Sequence, residues 1–337
     1  MSTQFGSTYG LCAIGNAIVD ILAPATQEFI QSQKEFGMQP GSMALIDAQR
    51  AEDLYKLMGP ATEASGGSAG NTMAAYASFG GKGAYIGKVA DDQLGKVFTH
   101  DIRAIGVHFD TAPLLNSAPT AQCLILVTDD AQRTMNTFLG ASVQFAPEDV
   151  NEEMIANSEI TYLEGYLFDA APAKTAFFKA AEICAKNNRK LALTLSDPFC
   201  VNRHRDDFKK LVEDHVDILF SNEDEIKALY EVETLEAAIE AVRGKCDIVA
   251  ITCGAQGSII VSGDQTIKVE AAKPLRIVDT TGAGDVYAAG FLFGLTEGKS
   301  LKECGDLGSL AAAEVIDHYG PRPAVSLKDL MQTKIAA

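Results

Sequence analysis

Short apolar runs rich in β-branched residues alternate with helix-patterned stretches through most of the chain, and that alternation leaves few folds open. Strands are expected at residues 11–14, 122–128, 160–163, 190–194, 216–220, 248–252 and 258–262. Helical patterns fall between them at residues 173–187, 223–230 and 235–243, and from Asp285 onward the pattern is helical through residues 287–295 and 301–317. Such a chain builds a mostly parallel α/β sheet with helices on both faces. Two stretches break the rule. Residues 15–50 and 107–140 read as extended, punctuated by Pro24, Pro40, Pro113 and Pro119, and predict a small second sheet inserted in one domain spanning 1–337.

With 337 residues, 47% of them hydrophobic, the chain can build its core without disulfides or metals. Lys and Arg number 28 against 45 Asp and Glu, a net charge of −17, which excludes the basic face that nucleic-acid and anionic-membrane partners require. Met1-Ser2-Thr3-Gln4-Phe5-Gly6 lacks the basic start and apolar core of a secretory leader, so a soluble cytoplasmic protein is expected. Seven scattered cysteines without a C-x-x-C pair read as buried thiols, and five histidines show no zinc spacing.

Three glycine-rich segments imitate known motifs. Gly66-Gly67-Ser68-Ala69-Gly70 matches G-x-S-x-G, but the hydrolase elbow needs a strand before it and residues 59–65 read as none. Gly81-Lys82-Gly83-Ala84-Tyr85-Ile86-Gly87 has a helical pattern before it and a strand after it, the reverse of a dinucleotide fingerprint. Gly294-Leu295-Thr296-Glu297-Gly298-Lys299-Ser300 is one residue short of a P-loop and follows a helix, so a helix C-cap and turn explain it.

The segment Val278-Asp279-Thr280-Thr281-Gly282-Ala283-Gly284-Asp285 leads straight into an apolar helix. Backbone N–H groups of Gly282, Ala283 and Gly284 are then expected unpaired at a helix N-terminus, a ready anion hole. Asp285 in the first turn could be no more than a partner of the helix dipole, worth about 0.3–1 kcal/mol. Beside a phosphoryl group the same carboxylate is placed to take a proton from an attacking hydroxyl.

This segment resembles the D-T-x-G-A-G-D signature of the ribokinase-like (PfkB) family of carbohydrate and nucleoside kinases. Gly66-Gly67-Ser68-Ala69-Gly70-Asn71, followed by Gly87, Asp92 and Gly95, resembles the family's N-terminal stretch. Asn222-Glu223-Asp224-Glu225 resembles its N-x-x-E motif and Thr252-Cys253-Gly254-Ala255-Gln256-Gly257 its T-x-G-x-x-G turn, all in the family's order.

The resemblance implies a ribokinase-like fold with a small β-sheet lid, and ATP-dependent phosphoryl transfer to an alcohol. It implies Asp285 as base and Gly282, Ala283 and Gly284 as the anion hole. Asn222 and Glu225 would hold Mg²⁺ and the nucleotide phosphates through water, while Thr252, Gly254 and Gly257 would shape the nucleotide side. Read alone, Asn222 could simply cap a helix and the glycines make a tight turn. Asp20, Gly67 and Asn71 would hold the acceptor's hydroxyls, and Arg133 resembles a lid arginine reaching the phosphate; as a solvated hairpin charge it is equally explained. Asp279, Thr281, Val315, His318, Gly320 and Ala324 correspond to a monovalent-cation (K⁺) site, with Ala324 standing where some members have a serine.

Residues 119–123 and 133–137 look more like the adenosine-kinase branch than the ribokinase or fructokinase branches. Ile18, Met43, Leu167 and Phe168 offer an apolar slot for a nucleobase, although core packing explains them too. The expected acceptor is therefore adenosine, with a pentose or hexose as alternative, or a non-catalytic nucleoside- or sugar-binding protein on the same scaffold. The expected partners are a small-molecule substrate and ATP, on a monomer or homodimer.

Overall fold

The computed structural model describes residues 8–130 and 132–335; the leader reading of residues 1–6 lies outside them. Its strands are β1 (Tyr9–Ile14), β2 (Ile18–Pro24), β3 (Met43–Leu45), β4 (Thr62–Ser65), β5 (Gly83–Ile86), β6 (Ala121–Val127) and β7 (Arg133–Phe138), followed by β8 (Ser158–Glu164), β9 (Lys190–Thr194), β10 (Ile218–Asn222), β11 (Ile248–Thr252), β12 (Ser258–Ser262) and β13 (Gln265–Val269). Eight of them form the main sheet in the order β13-β12-β11-β10-β9-β8-β1-β5. It is parallel from β5 to β11 and closes with the antiparallel pairs β11–β12 and β12–β13.

β1 shows why the sheet is covered on both sides. Leu11, Cys12, Ala13 and Ile14 are all fully buried, and because side chains alternate along a strand, Leu11 and Ala13 enter one core cluster while Cys12 and Ile14 enter the other. The chain leaves β1 for β5 on one side and later returns to β8 on the other. Ligands in such sheets bind beyond the strands' carboxyl ends, where the order reverses.

The second sheet has the order β3-β7-β6-β2-β4. Its segments are those read as extended, with two corrections. β4 lies outside 15–50, in the stretch read as no strand: Thr62 to Ser65 pairs antiparallel with Leu22 to Val19. Within 15–50 the Gln27–Ser32 helix forms instead and the Ala48–Leu57 helix begins, each started by a capping side chain, Thr26 on the Phe29 N–H and Asp47 on the Arg50 N–H. The Gln93–Ala104 and Pro198–Asp214 helices were not anticipated. Asp92 caps the former through the Gly95 N–H at 2.7 Å and binds the Thr120 N–H at 2.8 Å, tying it to the start of β6. No helix among the described residues is long and apolar enough to cross a membrane.

Candidate active site

One face of the second sheet forms a wall of the site. Asp20 pairs with Cys123, Cys123 with Thr137, Ile125 with Met135, and Arg133 opens β7; these side chains line one cavity of about 400 Å³. Val19, Ile21, Leu124 and Leu126, on the alternate positions, are buried in the core. Period-two alternation thus hands Asp20 to the cavity. Burial pushes the Asp20 carboxyl up to about 6, with Arg322 and then Arg133 opposing and Asp285 adding to the rise. Gly66 is needed beside it, because a Cβ there would fall 2.4 Å from the Asp20 carboxylate.

The main sheet supplies the floor through Thr194, Ser221, Asn222 and Thr252, at the carboxyl ends of β9, β10 and β11. Just behind it, at the end of β8, lies Glu164, which sequence reasoning missed. It is fully buried and accepts from Asn16 Nδ2 and the Ala69 N–H, both at 2.8 Å, and burial raises its carboxyl to about 7. It anchors the Ser68–Ser78 helix to the point where the strand order reverses.

Across the cavity the Ala283–Thr296 helix begins. Gly282 is its N-cap at φ 76°, ψ −1°, the second central position of a type II turn that only glycine adopts without strain. That turn corrects one expectation: the Ala283 N–H donates to Thr280 O at 3.3 Å, so it is not left free for an anion. Asp285 follows in the first helical turn. Its Oδ1 accepts from Ser68 Oγ at 2.6 Å and its Oδ2 from Asn71 Nδ2 at 3.1 Å, while burial raises its carboxyl to about 6. Ser68 does follow a strand, contrary to expectation, but its hydroxyl is committed to this carboxylate and it opens a helix. Asn71 also spends its amide on Asp285 as well as facing the cavity.

The same helix start separates the first cavity from a second of about 580 Å³. The two share Thr252, Thr280, Ala283, Gly284 and Tyr287. The second is apolar, walled by Ala271, Pro274, Ile277, Ala312 and Ile316, and it takes in Gly254 and Gly257 as expected. Asn222 lines the first cavity instead, as does Glu225. They form a full capping box: Asn222 Oδ1 accepts from the Glu225 N–H, and Glu225 accepts from the Asn222 N–H at 2.9 Å and from its Nδ2 at 2.6 Å. With both oxygens of Glu225 so engaged, the pair suits Mg²⁺ held through water, not by direct ligation.

The candidate cation residues gather at one turn that lines neither cavity apart from Thr281. Val278 and Asp279 both donate to Ile316 O, and His318 donates to Val315 O. The Asp279 carboxylate accepts from the Thr281 and Gly320 N–H groups and lies 2.5 Å from Arg133 Nη2. Its charge is already matched, and Ala324 donates its N–H to Glu314. These residues therefore offer a cation carbonyl oxygens but no unmatched carboxylate from Asp279. Arg133, read as a lid arginine or a solvated hairpin charge, is buried and faces the first cavity. Leu167 and Phe168 do not reach the site; Phe168 stacks on Phe208 in the core, and Met43 is exposed. The cavity's apolar lining includes Ile18, Cys123, Ile125, Met135 and Phe220.

Two cavities meeting at a helix N-terminus beside a carboxylate are what a kinase acting on a small-molecule hydroxyl requires, since catalysis there is positioning and charge stabilisation. The chain belongs to the pfkB family of carbohydrate kinases, whose model matches residues 41–327. It is a sugar or nucleoside kinase, a phosphotransferase with an alcohol group as acceptor. Among its relatives, adenosine kinase of Saccharomyces cerevisiae is 27% identical over 93% of this chain and 96% of its own length. A 5-dehydro-2-deoxygluconokinase of Bacillus licheniformis is also 27% identical, over 90% and 97%. The crystal structure of adenosine kinase from Sinorhizobium meliloti is 52% identical and superposes at a TM-score of 0.90, covering 97% of this chain and all of that one. A probable sugar kinase from Rhizobium etli is 46% identical at a TM-score of 0.91, covering 98% and 100%.

Proposed function

We propose that this chain transfers the γ-phosphoryl group of ATP to a hydroxyl of adenosine. The observation that carries the reading is the position of Asp285, which lines the first cavity from the opening turn of the helix whose start separates it from the apolar second one. The acceptor's hydroxyls meet Asp20, Asn71 and Gly67 in the first cavity, while Ile18, Ile125, Met135 and Phe220 offer flat apolar surface to a base. The nucleotide's adenine takes the second cavity, and its phosphates reach the helix start at Gly282 and Gly284. Mg²⁺, held through water by Asn222 and Glu225, would neutralise charge on the phosphate oxygens. Asp285 takes the hydroxyl proton, and Arg133 faces the same cavity from the second sheet. That sheet roofs the site and keeps water from competing as acceptor. The adenosine kinase of S. meliloti, at 52% identity over nearly the whole chain, supports this acceptor.

A sugar acceptor is the second reading, favoured by the R. etli relative described as a probable sugar kinase. The two separate in one assay. ADP release is followed with ATP and Mg²⁺ over adenosine, inosine, ribose and fructose. A kcat/KM for adenosine well above those for the sugars is expected; the opposite ranking assigns the acceptor site to a sugar.

A further inference from the structure

Arg322 belongs to none of the motifs read from the sequence. It stands in the turn after the Leu301–Ile316 helix and does not line either cavity. Its guanidinium nevertheless joins two parts of the site. Nη1 donates to Ser65 Oγ at 2.8 Å, and Nε points at Asn71 Oδ1 at 3.4 Å. Ser65 is the last residue of β4, where the second sheet passes through Gly66 and Gly67 into the Ser68–Ser78 helix. Asn71 lies on that helix and gives its Nδ2 to Asp285.

An amide has a donor end and an acceptor end. With Nε directed at Oδ1, the Asn71 amide must keep its nitrogen toward the Asp285 carboxylate. Turned over, it would set an oxygen against that carboxylate and a nitrogen against the guanidinium, and both contacts would be repulsive. Arg322 Nη2 is buried without a hydrogen-bond partner among the described residues, so the side chain is held by those two acceptors and by the field of nearby carboxylates. Burial lowers its pKa, and Asp20 is the foremost charge acting the other way. The guanidinium thus holds the β4 exit and the acceptor-site Asn71 at once, and its charge acts on the Asp20 carboxylate.

We propose that Arg322 is a positioning residue that locks the Asn71 amide toward Asp285 and pins the β4 exit, so that acceptor and base share one geometry. The proposal rests on the reading of Asp285 as the base. Lysine cannot replace arginine here, since a compact ammonium lacks the planar fork that reaches two acceptors at fixed directions.

The test compares wild type with R322M, R322K, R322A and S65A, using whichever of adenosine and the sugars wild type phosphorylates best. R322M is expected to lower kcat/KM about 10²-fold, the cost of a misplaced reacting group, with kcat falling, acceptor KM rising and ATP KM within about twofold of wild type. Guanidinium ion added to R322A is expected to restore part of kcat. S65A is expected to have a smaller effect and to be non-additive with R322M. A lower melting temperature with both KM values unchanged and no guanidinium rescue would make Arg322 structural only and overturn the proposal. Should R322M fail to fold, R322K carries the test: a loss of about tenfold or more in kcat/KM supports it, and wild-type kinetics overturn it. D285N is run alongside. If D285N retains turnover, the base reading fails in its own right; a preference for a sugar removes only the adenosine reading.

Discussion

Arg133 at the start of β7 and Asp279 in the loop before the Ala283–Thr296 helix form an ion pair that ties the second sheet to that helix start, Nη2 to Oδ2 at 2.5 Å, with both side chains less than a tenth exposed. The two partners are not equally supported. Asp279 also accepts from the Thr281 and Gly320 N–H groups, whereas no nitrogen of the Arg133 guanidinium has a directed hydrogen bond among the described residues. Removing one partner of a buried pair leaves a charge uncompensated. D279N is therefore expected to cost ~3–5 kcal/mol in urea unfolding. R133M should cost less, because the carboxylate keeps two donors, and the double variant should recover most of the loss of D279N. Strictly additive single effects would show that the pair has no coupling.

Ser68 offers a second test, because its hydroxyl stabilises the ionised form of Asp285. A hydrogen bond to the charged form lowers a carboxyl pKa, so S68A should raise that of Asp285. The acid limb of the kcat/KM profile, near pH 6 in wild type if it reports this group, is then expected to move to higher pH with turnover retained. Complete loss of turnover at every pH in S68A would assign the hydroxyl a direct chemical part.

Metal removal separates chemistry from folding. No group of three or more His, Cys, Asp or Glu among the described residues is arranged to hold an ion. Chelation with EDTA is expected to abolish phosphoryl transfer, to leave the melting temperature unchanged, and to be reversed by Mg²⁺ or Mn²⁺. A fold that melts on chelation would mark the metal as structural.

Local features of this site were legible in the sequence, and distant ones were not. The helix start at Gly282 to Asp285 could be read because glycines, small residues and an acid occupy consecutive positions, and the Asn222–Glu225 box because its partners are three residues apart. The second sheet was legible from prolines and extended patterning, but β4, with Thr62 and Glu63 exposed, gave no apolar run to detect. Ser68 meets Asp285 217 positions away, and Arg322 meets Ser65 257 positions away. Neither relation leaves a local pattern; the first exists because the fold brings the Ser68–Ser78 helix against the Ala283–Thr296 helix, the second because the turn after the Leu301–Ile316 helix meets the end of β4. Glu164 carries no motif either, and only its burial with two donors reveals it.

Asp285 itself links activity to stability. Its carboxyl lies at about 6 in the fold against an ordinary 3.8, mainly through burial, with Ser68 and Asn71 pulling the other way. A carboxyl raised on folding favours the native state fully below its unfolded value, and that contribution is lost as pH rises through about 6. At pH 8 wild type thus carries a buried charge that D285N does not. D285N is expected to be more stable by about 1–3 kcal/mol at pH 8, each pKa unit being worth about 1.4 kcal/mol, and to lose that advantage near pH 4. The same substitution removes the proton acceptor, so kcat should fall by about 10²–10⁴ while ATP affinity holds or rises slightly. Melting temperature at two pH values, kcat and nucleotide affinity, measured on one preparation, give the outcome. A near-wild-type kcat would end the assignment of Asp285 as base, whereas a stability gain that is equal at both pH values would show that its charge is not what burial penalises.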